Sequence, residues 1–220
     1  MNLFLGIFAG IANDTIVLGD DDNLVIDLAG DDSISSGGGD DSVFGGIGDD
    51  LINGGDGNDA LRGGFGNDSI DGGAGDDVVR GGFGDDSLDG GDGNDFLLGG
   101  FGNDSLDGGG GEDVLLGGLG DDEIIGGLGS DMMTGGRGSD SFFVGNDATR
   151  FGDIDTITDF NPNKDSIAVD TDLNYVIVDT EDGAAVSYTN LYTVIFNGLE
   201  TADLQGLPQG SFGTGTEFFT

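Results

Sequence analysis

From Gly45 to Phe143 the chain repeats one nine-residue unit, Gly-Gly-x-Gly-x-Asp-x-U-x with U a large apolar residue, eleven times without a break in frame. Gly63-Gly64-Phe65-Gly66-Asn67-Asp68-Ser69-Ile70-Asp71 is typical, and the units from Gly81 and Gly99 nearly copy it. A fixed short period means one small supersecondary unit stacked many times, and it outranks any local propensity. Glycines at positions one, two and four tolerate positive φ and close backbone approach, so positions one to six read as a turn. Positions seven to nine read as a short strand, whose period-two alternation turns the apolar eighth residue inward. The expected core is Ile52, Leu61, Ile70, Val79, Leu88, Leu97, Leu106, Leu115, Ile124, Met133 and Phe142.

Two such units close one coil of an all-β fold, a right-handed parallel β-roll with strands about 4.8 Å apart. Turns two units apart then become neighbours. The sixth-position carboxylates form two columns, with Asp50, Asp68, Asp86, Asp104, Asp122 and Asp140 on one edge. Asp59, Asp77, Asp95, Asp113 and Asp131 stand on the other, where Asp41 of the preceding, irregular unit can join them. Unit charges about 5 Å apart repel by roughly 1 kcal/mol even in bulk water, and more where the turn is desolvated. A cation between them removes that penalty.

The donors select the cation. Aspartate oxygens and turn carbonyls are hard ligands suited to six- to eight-coordinate calcium, whereas magnesium prefers to keep its waters. Zinc, copper and iron–sulfur sites lack their usual ligands, because the chain has no His and no Cys. The turn carbonyls are offered by glycines at two positions. Position one supplies Gly45, Gly54, Gly63, Gly72, Gly81, Gly90, Gly99, Gly108, Gly117 and Gly126. Position four supplies Gly48, Gly57, Gly66, Gly75, Gly84, Gly93, Gly102, Gly111, Gly120 and Gly129. One calcium for each pair of like-facing turns gives about nine or ten ions.

The run resembles the RTX, or haemolysin-type, calcium-binding repeat of secreted bacterial proteins, and matches its nonapeptide at every defined position. The resemblance implies export by a type I system directed by an uncleaved C-terminal signal, and an extracellular or cell-surface location. Extracellular calcium modules bind at about 0.1–1 mM, so such a roll stays unfolded in a calcium-poor cytosol and folds outside. The formal charge of −39, from 5 basic and 44 acidic residues, accords with disorder before the metal arrives. It also argues against nucleic acid as a partner, since no basic patch exists to meet phosphate.

Three regions follow: an N-terminal cap with degenerate repeats over residues 1–44, the regular roll over 45–143, and a β-rich C-terminal cap with a candidate export signal over 144–220. Met1 to Ala12 carries Leu3, Phe4, Leu5, Ile7, Phe8 and Ile11, yet it lacks a basic n-region and is too short to span a bilayer. It is expected to cover the open end of the roll. From Ala9 to Phe44 the nine-residue phase persists while the glycines fade, so the first coils are expected to hold few or no ions. Outward residues of alternate units differ. Ser69, Ser87 and Ser105 with Asp71, Asp89 and Asp107 make a solvated face, whereas Val78, Phe96, Leu98, Val114, Leu116 and Met132 make an apolar strip. That strip is covered either by the C-terminal segment or by another molecule, which opens self-association. Ile47, Phe65, Phe83, Phe101 and Leu119 form a third column, an aromatic rib or a sticky edge.

After Phe143, strands are expected at Ile154 to Phe160, Asp165 to Asp170, Asn174 to Val178, Ala184 to Tyr188 and Tyr192 to Phe196. Asp155-Thr156-Ile157-Thr158-Asp159-Phe160 followed by Asp165-Ser166-Ile167 is similar to the segment that follows the repeats in serralysin-type C-terminal domains. The resemblance implies that Phe160 plugs the roll's end and that Asp153, Asp155, Asp159 or Asp165 holds a last ion, the alternative being solvated turn carboxylates. The tail from Leu204 to Thr220 reads equally as an export signal or as a plain end. Serralysins carry a zinc protease domain before their repeats, and a chain without His excludes that activity. No lipase elbow, phosphate loop or EF-hand spacing occurs either, so no catalytic residue is assigned.

Overall fold

In the computed structural model the described residues are 5–144, 153–161, 163–169, 175–180, 183–188, 192–197 and 217–219. The nine-residue unit folds as a strand of six residues and a bend of three, not the short strand and long turn expected. Pairing runs through positions seven, eight and nine and continues into the next unit's positions one, two and three, as in Ser69–Ala74 and Val78–Phe83. The glycine pair carries the ladder onward because it stays extended enough to bond, with a positive φ at its second member, such as 128° at Gly64. The matched pairs skip position one: Phe44 faces Arg62 and Gly46 faces Gly64.

Strands are numbered in chain order, and alternate ones fall in two parallel stacks. The first holds β1 (Leu5–Phe8), β3 (Asn23–Ile26), β5 (Ser42–Ile47), β7 (Ala60–Phe65), β9 (Val78–Phe83), β11 (Phe96–Phe101), β13 (Val114–Leu119), β15 (Met132–Arg137) and β17 (Asp153–Ile157). The second holds β2 (Thr15–Val17), β4 (Ser33–Gly38), β6 (Leu51–Asp56), β8 (Ser69–Ala74), β10 (Ser87–Asp92), β12 (Ser105–Asp107), β14 (Glu123–Ile125), β16 (Ser141–Val144) and β18 (Ser166–Val169). Within the regular units the paired residues lie eighteen positions apart, so two units make one coil, as the period requires. The fold is a parallel β-roll, and no helix occurs among the described residues.

Every eighth-position residue expected inside is there. Ile52, Leu61, Ile70, Val79, Leu88, Leu97, Leu106, Leu115, Ile124, Met133 and Phe142 form one continuous core, extended by Ile16, Val25, Ile34 and Val43 at one end and Ile157, Phe160 and Ile167 at the other. Each such side chain contributes about 1.5–3 kcal/mol of burial. No single unit can enclose it alone, and this is why the stack folds as one body.

The roll continues past the last regular unit. Met133 pairs with Ile157 and Phe142 with Ile167, so β17 and β18 are further rungs despite the lost period. Phe160 packs against Phe142 with ring centroids 6.2 Å apart, at the base of the core. Beyond these rungs β21 (Tyr192–Asn197) adds in parallel to β17, followed by antiparallel β20 (Gly183–Tyr188) and β19 (Tyr175–Thr180). The final strand, β22 (Glu217–Phe219), adds antiparallel to β18. At the N-terminus β1 pairs with β3 as a further strand, Ile7 packs on the core, and Phe8 and Ile11 are exposed. Met1 to Phe4, and most of the tail from Leu204, lie outside the described residues.

Outer faces follow the sequence pattern. Val78, Phe96, Val114 and Met132 are register neighbours on the first sheet, half-buried except for exposed Met132. Arg80 lies over the Phe96 ring at 5.9 Å. In the turn column Phe65, Phe83 and Phe101 stack at 4.8 and 4.6 Å with planes 6° and 10° apart, and stay about half exposed. The column is a rib and an apolar edge at once.

Candidate metal columns

The sixth-position aspartates lie where strand meets bend, and the register of the sheets places them in file along each edge. All of Asp41, Asp50, Asp59, Asp68, Asp77, Asp86, Asp95, Asp104, Asp113, Asp122, Asp131 and Asp140 are buried. One oxygen of each is committed to the backbone of the preceding coil. The Asp50 N–H donates to Asp68 Oδ1 at 2.9 Å, Asp68 N–H to Asp86 Oδ1 at 2.8 Å, and Asp59 N–H to Asp77 Oδ1 at 2.7 Å. The same bond recurs along both edges.

The second oxygen is different. Among the described residues, Oδ2 of Asp41, Asp50, Asp59, Asp68, Asp77, Asp86, Asp95, Asp104, Asp113 and Asp122 is buried and accepts no hydrogen bond from the protein. A buried carboxylate oxygen left so is expensive, of order 1–3 kcal/mol or more for a charged group. In the regular units the sixth-position Oδ2 points at position one of its own unit. A Cβ on Gly45, Gly54, Gly63, Gly72, Gly81, Gly90, Gly99, Gly108, Gly117 or Gly126 would overlap it. At Gly45, Gly54, Gly72, Gly90, Gly108 and Gly117 the same small space also meets the carbonyl oxygen of position one in the next like-facing unit. Two acceptors thus face each other with no hydrogen between them.

The irregular N-terminal coil supplies an internal control. There the sixth position is Asn23, and its Nδ2 donates to the carbonyl of Ser36, which is position one of the next like-facing unit, at 3.3 Å. An amide brings its own hydrogens to that carbonyl, whereas an aspartate cannot. Where the side chain is a carboxylate, a cation or a proton can take the place of the N–H. The donor set, hard oxygens from side chain and backbone with no nitrogen or sulfur, fits calcium.

Residues 17–52, 53–88, 71–106, 89–124 and 107–142 match the RTX calcium-binding nonapeptide repeat (four copies), which accounts for more than half of the chain. The chain belongs to the RTX calcium-binding repeat family. No curated protein matches this chain. Among solved structures it is similar to the extracellular lipase LipA from Serratia marcescens, at 18% identity over 83% of this chain and 38% of that one, with a TM-score of 0.25. The RTX chain therefore spans about 38% of that lipase's length, and the likeness carries no argument about activity.

The electrostatics of the RTX columns follow from their burial. Desolvation raises the carboxyls of Asp50, Asp77, Asp86 and Asp113 to about 7, partly offset by the backbone N–H each accepts and raised again by neighbouring aspartates. Asp59, Asp68, Asp104, Asp122 and Asp140 rise to about 6, again chiefly through burial. Without a cation these groups hold protons close to neutrality.

Position-four glycines stack closely along each edge. Each of Gly48, Gly57, Gly66, Gly75, Gly84, Gly93, Gly102, Gly111 and Gly120 turns its carbonyl toward the α-carbon of the next position-four glycine in its column. Gly129 shares their positive φ, at 132°. Position five, undefined in the repeat, has a fixed role. Its side chain accepts the N–H of the residue one coil later, as Asp49 Oδ1 does from Asn67 and Asn67 Oδ1 from Asp85, both at 2.8 Å. The signal was visible, since Asp49, Asn58, Asn67, Asp76, Asp85, Asn94 and Asn103 share one short acceptor shape.

Beyond the repeats the columns go on. Asp131 N–H donates to Asp155 Oδ1 and Asp140 N–H to Asp165 Oδ1, both at 3.1 Å. Asp165 also accepts the Asn161 N–H, at 2.7 Å, so it closes its column as a turn residue. Asp159 accepts the N–H groups of Gly135 and Gly136 at 3.0 and 2.8 Å. The Asp153 side chain lies outside the described residues.

Proposed function

We propose that this chain is a non-enzymatic calcium-binding protein, secreted or surface-associated, whose roll forms when it binds extracellular calcium. About nine or ten ions would lie along the two edges, held by the sixth-position aspartates and position-one carbonyls. The observation that carries this reading is the opposition of buried carboxylate Oδ2 and glycine carbonyl oxygens, which Asn23 resolves with an amide and the aspartates do not. Ligand and fold are then one event, because the unfolded chain has no such gap to offer.

The three regions divide the work: residues 1–44 begin the roll, 45–143 take up the ions, and 144–220 close it and carry the export signal of a type I substrate. No helix among the described residues is long and apolar enough to cross a membrane. A calcium titration followed by far-UV circular dichroism and small-angle scattering tests the reading. Calcium should convert an expanded chain into a compact β form, and a protein that keeps its full β signal and radius in chelator would end it.

A second reading has its own support. The half-exposed Phe65, Phe83 and Phe101 stack and exposed Met132 are apolar surface that a calcium-folded roll presents to its neighbours. Calcium-dependent assembly into a surface or matrix layer uses that surface. Size-exclusion chromatography with and without calcium separates the two, since assembly predicts growth with added ion and the first reading predicts a monomer. Robust turnover in a broad hydrolase screen would overturn the non-enzymatic assignment.

A further inference from the structure

The N-terminal coils depart from the repeat at position one, where glycine is replaced by Asp27 and Ser36. Both side chains enter the space that the regular units leave for the sixth-position carboxylate. Ser36, fully buried, donates its hydroxyl to the Gly54 carbonyl at 3.0 Å. Asp27 brings no hydrogen and adds a third carboxylate instead.

Asp14 and Asp32 are consecutive sixth-position residues on one edge, and Asp27 is position one of the unit that contains Asp32. Carboxylate oxygens of Asp14, Asp27 and Asp32 lie within 4.8 Å of one another. The hydrogen bonding leaves a defined set of oxygens for a ligand. Asp27 Oδ1 accepts the Leu28 N–H and Asp32 Oδ1 accepts the Asp14 N–H, each at 2.6 Å. Asp27 Oδ2 and Asp32 Oδ2 accept none among the described residues, although Asp27 is 0% and Asp32 3% exposed. Burial, with Asp32 and Asp14 adding like charge, raises the Asp27 carboxyl above its ordinary range.

We infer that Asp14, Asp27 and Asp32 form a separate divalent-cation site, built from three side-chain carboxylates, that binds calcium more tightly than the regular columns. Affinity in oxygen-ligand sites rises with the number of charged ligands and with their preorganisation. A regular gap offers carboxylates set against backbone carbonyls, whereas this one adds a further anion whose backbone partner already fixes it. The site lies in the coils expected to hold few or no ions, so it is also an early anchor for the end of the roll that lacks most of the glycines. The inference rests on the reading that the folded roll binds calcium, and the test separates the two.

Calorimetric titration of the full chain with calcium chloride, in the wild type and in Asp27→Gly and Asp14→Asn, decides it. Asp27→Gly restores the residue that every regular unit carries at this position, so the coil retains a permitted backbone. The wild type should show one ion bound at least about tenfold more tightly than the rest. Both variants should lose that tight event and keep the remaining stoichiometry, with the same far-UV spectrum at saturating calcium. Multi-ion isotherms that coincide in all three proteins would remove the three-carboxylate site and leave the calcium-folded roll standing. A single tight event without further binding would uphold the site and remove the wider reading, and no binding at all would remove both.

Discussion

Adjacent glycines in one unit answer different demands. Gly63 has an ordinary φ, and what forbids a side chain there is the Asp68 carboxylate; Gly64, at 128°, is barred by its own backbone as well as by the Gly46 carbonyl. Gly63→Ala should therefore cost calcium affinity at its edge, by about tenfold at the neighbouring site, with little change in the metal-free chain. Gly64→Ala should destabilise the calcium-loaded roll by about 1–3 kcal/mol or more through strain at positive φ. Denaturation at saturating calcium, read beside a titration, tells them apart. Asp86→Asn isolates the ligand in the opposite way. Its amide oxygen can still accept the Asp68 N–H that Asp86 Oδ1 accepts at 2.8 Å, while the charged Oδ2 is lost. Calorimetry should show weakening of the ions shared with Asp68 and Asp104 and an unchanged edge at Asp77 and Asp95; an unaltered isotherm would dismiss these ligands. At position five, Asn67→Ala should lower stability by about 0.5–1.5 kcal/mol and leave the calcium stoichiometry intact, because its side chain ties backbone to backbone.

Within the strands, what the sequence made legible was whatever repeats with the period, and what it hid was whatever the period does not count. The inward file from Ile52 to Phe142 was readable because burial selects residue type at every eighth position, and the structure places all of it in one core. Strand length was misread because glycine marks turns by propensity, yet here Gly46 and Gly64 pair across the ladder and only position one drops out. The resemblance offers Asp155 and Asp165 among the candidates for a last ion, but the spacing does not reveal that they continue the two columns, since they follow their partners by 24 and 25 residues rather than 18. Asp27 was overlooked for the same reason: a departure from the motif reads as decay until its neighbours in space are known. The core makes its own prediction. Leu97 is 0% exposed between Val79 and Leu115, its register neighbours, so Leu97→Ala should cost about 2–5 kcal/mol. Thermal unfolding at fixed calcium measures it, and a loss below about 1 kcal/mol would mean that the stack collapses to refill the gap.

Over the whole molecule, protons and calcium compete for the same oxygens. An unfolded aspartate titrates near 3.8, whereas in the metal-free roll Asp50, Asp77, Asp86 and Asp113 titrate at about 7 and Asp59, Asp68, Asp104, Asp122 and Asp140 at about 6. Between those limits the folded chain binds more protons than the unfolded one, so stability of the metal-free roll rises as pH falls and is lost as pH climbs through about 6 to 7. Protonation also relieves part of the formal charge of −39 that opposes collapse. Acid should therefore stand in for calcium. In chelator, far-UV dichroism should gain β signal as pH is lowered from about 8 to about 5, over the range that the raised carboxyls define. With calcium present the sign reverses, because the ion needs the ionised form: the midpoint of the calcium titration should move to higher concentration as pH falls, and binding near pH 6.5 should release protons, read as a dependence of the calorimetric heat on the buffer's ionisation enthalpy. A chelated chain that stays unstructured down to pH 4, or a calcium midpoint indifferent to pH, would mean that the buried carboxylates are not what holds the metal-free coils apart.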